Sequence, residues 1–404
     1  TQTYAAKLAE WKSFSTSLDV VIRKRTVEPV FQGAGSTKTL LVRDQTRYAP
    51  LERAVEADLY YEAATQQSSR LERVFVRVTR GTGSYQYLGD LNGNGIADED
   101  EFVQTRFDGD FIPVTVPSDR LYPIIDLNTS ARLRLTPLRL LRGATGTAAK
   151  ILSALSSETY FRVDEKSTEE NFADIALLRF RKFQQDSTTL SGSRQFSQDL
   201  LVLEGNPSIS GRLRFLERRG MNNFSGGIER SYGREQSARL RFRLVPEVAQ
   251  QIDLAQKRDR VTGQVASTRL RDISSDEVTI DISYRPEQRF ELGLKIGTST
   301  STDRHPVTPL EVSLNTQSIR TSLAFEGSGQ ARAEFSREEV VFHRAVDQFP
   351  YELTGGRLPG KTWLWKGALD YRLTNFLQSS IQYDGRSEGG QVIHTARAEV
   401  RAFF

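Results

Sequence analysis

The C-terminal eleven residues read HTARAEVRAFF, 394–404, and alternate strictly between two kinds of side chain. Ala396, Ala398, Val400, Ala402 and Phe404 form one series; Thr395, Arg397, Glu399 and Arg401 form the other, which Phe403 closes. Successive side chains of a strand point to opposite faces. The alternation therefore predicts a strand with one oily face and one charged face. TWLWKGALDYRL, 362–373, repeats the pattern, with Trp363, Trp365, Gly367, Leu369, Tyr371 and Leu373 opposite Lys366, Asp370 and Arg372. FLQSSIQYDGR, 376–386, does so again, and the breaks TN and SEGG between these segments are turn-like. Long strands joined by tight turns read as an antiparallel meander.

The same pattern continues upstream. VTIDISY, RFELGLKI, IRTSLAFEG and QARAEFSRE all alternate, and SARLRFRL sets Leu240, Phe242 and Leu244 against Arg239, Arg241 and Arg243. Its echoes are SGRLRFLE and SARLRLTP; AVEADLYYEA and LERVFVRV extend the pattern toward the N-terminus. At one hairpin per roughly 20–25 residues, about 16–18 strands are expected, an even number being usual for single-chain outer-membrane barrels. A soluble sandwich also alternates, since its apolar faces meet in a core. Against it, these segments exceed the ~5–6 residues typical of soluble sheets and match the ~9–11 that cross a bilayer at a tilt. Bulky Arg and Glu on the polar series suit a hydrated lumen. Aromatics at strand ends, Trp363, Trp365, Tyr371 and Phe403, suit an interfacial girdle.

Composition narrows the alternatives. No run approaches the ~18 apolar residues of a membrane helix, so helical spans are excluded. Cysteine is absent, which removes disulfide staples and thiolate metal sites. The formal net charge of +4 is near balance, and no nucleic-acid partner is expected. The chain starts at Thr1 and reads as a processed protein or a fragment.

An aromatic final residue, with apolar residues at alternate positions before it, resembles the C-terminal signature of bacterial outer-membrane β-barrel proteins. Here the signature falls on Ala398, Val400, Ala402 and Phe404. The resemblance implies a bacterial outer-membrane location, a lipid bilayer around the wall and the barrel-assembly machinery as partner during insertion. More loosely, YLGDLNGNGIADEDEF, VPSDRLYP and IHTARAEVRAFF are similar to segments of large surface barrels of diderm bacteria. That likeness implies fold and location but no activity.

One local motif is sharper. An oxygen-rich calcium loop needs ligands at positions 1, 3, 5, 9 and 12, a backbone carbonyl at 7 and glycine at 6. DLNGNGIADEDE supplies Asp90, Asn92, Asn94, Asp98 and Glu101, with Ile96 at 7 and Gly95 at 6. It resembles an EF-hand loop, but its flanks read as strand and loop rather than helices. Two Asn in place of Asp point to Ca2+ affinity of roughly 10⁻⁴–10⁻³ M, with calcium as a structural staple. A solvated Asx/Gly turn is the simpler alternative.

Evidence of catalysis is thin. The three histidines, His305, His343 and His394, come with no G-x-S-x-G, H-E-x-x-H or phosphate-binding glycine motif. His343 and His394 with Asp347 or Asp384 form at most a constellation by abundance. The segment GTAAKILSALSS, 146–157, carries apolar residues at helical spacing, and 343–361 is a long loop. The expectation is an all-β, transmembrane antiparallel up-and-down β-barrel. Residues 1–80 supply N-terminal strands or the start of a fragment, 81–127 a loop insertion carrying the calcium loop, and 128–404 the barrel. In function it is read as a non-enzymatic scaffold holding other outer-membrane or surface proteins. The alternatives are a passive pore for polar solutes, an outer-membrane hydrolase and a soluble calcium-binding adhesion module.

Overall fold

The computed structural model describes residues 1–25, 37–95, 97, 99–263, 270–325, 327–344 and 350–403. Among them, nineteen strands form one sheet, and the helical pieces are short. Two of the strands, β5 (Gly83–Tyr87) and β6 (Phe102–Gly109), form a hairpin where the sequence suggested a loop. They account for the excess over the expected number. The chain divides into two compact units, one of residues 1–204, 214–235 and 258–271, the other of 205–213, 236–257 and 272–404.

The first unit holds β1 (Gln2–Trp11), β2 (Phe14–Arg25), β3 (Thr37–Tyr48), β4 (Val55–Arg77), the β5–β6 hairpin, β7 (Phe111–Leu135), β8 (Leu155–Ser167) and β9 (Thr189–Val202). Sequence neighbours pair antiparallel, except that β4 pairs with β7 across the inserted hairpin. β4 and β7 are the longest strands, paired from Val55↔Leu135 to Arg77↔Phe111 with one register shift between Ser69 and Leu71, so β7 runs across position 127 without a break. The helical spacing at 146–157 gives a helix at Thr147–Ser153, followed at once by β8.

A small core gathers on one face of this unit. Ala63, Ile125, Leu127 and Val163 from the strands pack with Ile175 and Phe183 from the β8–β9 connection. Alternate strand positions reach this cluster because neighbouring strands are in register: Ala63 faces Leu127, and Leu127 faces Glu165. The opposite face of β4, β7 and β8 carries Asp58, Arg132 and Glu158, with Arg132 hydrogen-bonded to Glu158 through two nitrogens at 2.9 Å.

β10 (Ile209–Phe224), β11 (Gly227–Val245) and β12 (Val248–Gly263) contribute to both units. The second unit continues through β13 (Arg271–Glu287), β14 (Phe290–Asp303), β15 (Leu310–Phe325), β16 (Gly329–Phe342), β17 (Gly360–Thr374), β18 (Leu377–Glu388) and β19 (Gln391–Ala402). From β13 to β19 each strand pairs antiparallel with the next, an uninterrupted meander.

Register sorts the side chains of this meander. Ile280 lies opposite Ile296, Leu294 opposite Ile319, Ile319 opposite Phe335, and Leu369 opposite Ile381. These apolar residues form a band, yet Ile319 is 53% exposed, Ile381 46% and Leu294 39%. A soluble sheet buries its apolar face and wets its polar one. Here the buried positions lie on the other face, Ser301, Ser318, Ser336 and Glu338 among them. The faces are inverted relative to a soluble sandwich, and a contiguous exposed apolar band of this kind marks a surface made for an apolar environment.

Candidate functional site

The polar face of the second unit carries a row of charges set by register. Gly293 on β14 lies opposite Arg320 on β15, Arg320 opposite Glu334 on β16, Glu334 opposite Lys366 on β17, and Lys366 opposite Asp384 on β18. The signs alternate across four strands. Opposite charges in directly paired positions attract, whereas like charges there would destabilise the sheet.

Arg320 does not stop at its neighbour. Its guanidinium crosses β14 to pair with both carboxylate oxygens of Asp281 on β13, at 2.7 and 2.8 Å. It passes over Gly293, where any Cβ would lie 2.6 Å from Nε of Arg320. Glycine at this position is what lets one arginine span three strands, with the bidentate geometry that favours arginine over lysine. Glu334 accepts from the hydroxyls of Ser318 and Ser336 at 3.0 and 3.2 Å. A cavity of about 410 Å3 opens on this face, lined in part by Glu291, Arg320, Arg332, Glu334, Lys366 and Asp384.

The β16–β17 connection turns onto the same polar face. Its helical turn Tyr351–Thr354 packs Leu353 against Ile273, Leu310, Val312 and Val340. Arg357 follows, 2.9 Å from the buried Glu338. Asp347 of this connection lies outside the described residues.

The charges expected in a lumen fall on the polar side. Arg239 binds Asp253 at 2.5 Å and Arg241 binds Gln251 at 3.1 Å, both across β11 and β12. Arg397, Glu399 and Arg401 stand opposite Gln382, Ser380 and Gln378. Glu399 is 3.6 Å from Arg397 and 2.6 Å from Arg401. Arg243 shares the alternation of its neighbours on β11. Ala398, Val400 and Ala402 stand opposite Ile381, Ser379 and Leu377 on the apolar side; Phe404 lies outside the described residues.

The aromatics form two groups at opposite ends of β17. Trp363 stacks on Phe335 at 5.3 Å, with the Arg337 guanidinium 5.9 Å from its ring. Trp365 lies over Gly385, where a Cβ would collide with the indole, and its ring is 5.7 Å from that of His394. At the far end Tyr371 meets Phe325 edge-on at 6.1 Å, and Phe403 hydrogen-bonds through its backbone to Phe376 at 2.8 Å. Trp363 and Tyr371 are separated by roughly 26 Å of strand at ~3.3 Å per residue.

In the inserted hairpin, Asp90 accepts from the backbone N–H of Gly93 and Gly95 at 2.6 and 2.8 Å, and from that of Asn94 at 3.2 Å. These bonds, that to Gly95 first, hold its carboxyl below the usual range. Gly93 and Gly95 have φ of +75° and +73°, values that favour glycine. Asn92 accepts from the Asn94 N–H at 3.0 Å. Glu101 is fully buried and accepts from the Leu91 N–H at 2.8 Å. Asp90, Asn92, Asn94 and Glu101 thus share one compact loop, whereas Ile96 and Asp98 lie outside the described residues.

Among the described residues, His343 and His394 each sit beside a hydroxyl without a carboxylate on the other ring nitrogen. His343 Nε2 is 2.9 Å from the Ser313 hydroxyl and 3.8 Å from Glu311. One ring nitrogen faces both groups, whereas a relay needs the carboxylate on the other nitrogen. His394 bonds to the Tyr383 hydroxyl at 2.7 Å on the aromatic face.

Sequence reasoning missed the Arg320–Glu334–Lys366–Asp384 row. Each residue lies in a segment read as a strand, but only hairpin register aligns them.

No protein-family model and no curated protein matches the chain. Among solved structures it is similar to OccK11 (OpdR) of Pseudomonas aeruginosa, at 10% identity over 97% of this chain and 94% of that one, TM-score 0.34. It is similar to OmpT of Vibrio cholerae at 8% identity, over 87% and 98% of the two chains, TM-score 0.32. For the ferric-catecholate import receptor Fiu of E. coli K12 the values are 10% identity, 95% and 62% coverage and TM-score 0.41. At such scores nothing these proteins do carries over to this chain.

Proposed function

We propose that the chain forms the wall of a transmembrane β-barrel in a bacterial outer membrane and serves as a passive pore for small polar solutes. The apolar band faces lipid, and the charged face lines water. One observation carries the pore reading over the scaffold expected from sequence: the sign-alternating row of Arg320, Glu334, Lys366 and Asp384 beside an open cavity of about 410 Å3. A polar, charged inner face is what a water-filled barrel lumen presents. The role asks for no catalysis, and the barrel-assembly machinery is the partner at insertion.

Single-channel recording tests it. The purified protein in planar bilayers should give discrete conductance steps, and Lys366→Glu should shift ion selectivity toward cations. A membrane-inserted protein without steps would overturn the pore and return the scaffold.

Calcium is the second part of the proposal. Asp90, Asn92, Asn94 and Glu101 offer hard oxygen ligands of the kind Ca2+ takes, in a loop already closed by backbone hydrogen bonds to Asp90. The ion would brace the β5–β6 hairpin. Calorimetric titration should give a binding isotherm that Asp90→Ala abolishes; no heat and no effect of chelator on hairpin protection would remove the ion.

A further inference from the structure

The β8–β9 connection, residues 168–188, lies against the apolar side of the first unit. Tyr61, Phe161 and Val163 belong to the alternate series that also contains Leu59 and Leu133, exposed by 42% and 39%. Onto it pack Phe172, Ile175, Leu178 and Phe183. Phe180 meets Phe161 edge-on at 6.0 Å, and the Tyr61 hydroxyl donates to the Ala176 carbonyl at 2.7 Å.

At this end of the strands the apolar series turns polar. Glu165, Arg194 and Thr189 occupy positions that would face hydrocarbon if uncovered, where unmet polar groups are costly. The connection covers them and supplies partners. Glu165 is 1% exposed and accepts from the Gln184 N–H at 3.0 Å and the Thr189 hydroxyl at 2.5 Å. The Gln184 side chain accepts from Arg194 at 3.2 Å and donates to the Arg219 carbonyl at 3.3 Å.

The outer side of the connection remains apolar at two places. Leu177 is 69% exposed and Phe180 45%. Arg181 adjoins Phe180; Arg179 and Lys182 of the same short stretch pair within the connection, with Asp174 and, at 3.0 Å, with Glu169, and keep partly exposed side chains. Apolar side chains beside cations suit the headgroup layer of a bilayer, where the former enter the acyl boundary and the latter meet lipid phosphate.

We propose that residues 168–188 form an in-plane membrane contact, seated in the headgroup layer of one leaflet with Leu177 and Phe180 inserted. The partner is a phospholipid surface. The inference rests on the transmembrane reading and extends it to a segment that crosses nothing.

The absence of cysteine makes the test direct. Nitroxide labels on the full chain at Leu177→Cys, Phe180→Cys, Ile381→Cys and Ser380→Cys are compared in vesicles of phosphatidylethanolamine and phosphatidylglycerol. Ile381 reports the apolar band and Ser380 the polar face. At 177 and 180 the ratio of oxygen to nickel-chelate accessibility should exceed that at 380 and lie between it and that at 381, as a shallow seat requires. If 381 is lipid-exposed while 177 and 180 behave like 380, the contact is overturned and the transmembrane reading stands. If 381 itself is open to the chelate, the transmembrane reading falls and takes the contact with it.

Discussion

Gly293 and Gly385 are spaces used by their neighbours, one on each face of the same meander. Arg320 crosses the first to reach Asp281, and the Trp365 indole covers the second. Gly293→Ala should force the guanidinium aside and lower unfolding stability in denaturant by about 1–3 kcal/mol, the usual range for such overpacking. Gly385→Ala should displace Trp365 and shift tryptophan emission with little change in secondary structure. Asp90 offers a pH test. Its carboxyl is held low in the folded loop, by Gly95 first and then by Gly93 and Asn94. A lowered value contributes stability that is present above the unfolded value near 4 and is lost as pH falls through the folded one. Exchange protection of the Gly93, Asn94 and Gly95 amides should therefore hold at neutral pH and vanish in acid. The tight turn at Asp90–Gly95 was legible from its Asp, Asn and Gly spacing, because such a turn pattern is local in sequence. The two glycine contacts were not, since each depends on which residue stands across the strand.

Individual strands were the most legible elements. Period-two alternation named both faces of β17, β18 and β19, and the apolar series read from sequence is the exposed band of the structure. This gives a paired prediction. Leu369→Arg, on the band opposite Ile381, should destabilise the membrane-inserted protein by roughly 2–4 kcal/mol if it sits near the bilayer midplane. Ala368→Arg, one residue away on the polar face, should cost far less; comparing denaturant midpoints in lipid checks both. Connections were harder. The 343–361 loop was visible from its Pro and Gly, but not that its turn at Tyr351–Thr354 folds onto the polar face. The helix at Phe172–Ala176 has five residues, too few for a helical period to show. The β5–β6 hairpin was hidden for a similar reason: β5 is five residues long.

At the scale of the whole molecule the decisive property is how the two faces of the sheet are used. A chain with 38% hydrophobic residues and negative mean hydropathy leaves Ile, Leu and aromatic side chains exposed along β13–β19 while burying Ser301, Ser318, Ser336 and Glu338. Among the described residues its apolar clusters are confined to the places where the β8–β9 and β16–β17 connections fold onto the strands. Purification without detergent should give aggregate rather than a monodisperse protein, and light scattering checks this. Composition alone pointed the other way, because averaged hydropathy cannot register alternation. Fold class was therefore readable from pattern, whereas the site needed the registers of six consecutive strands. Those registers fix how far the site's electric field extends. Arg320, Glu334, Lys366 and Asp384 sit on adjacent strands, about 4.8 Å apart, so their potentials cancel over a distance shorter than the ~8 Å Debye length of physiological salt. A passing ion would sense the lining only by brushing against it. Cation-to-anion permeability should then stay near unity from dilute to concentrated salt, leaving molecular width as the main filter.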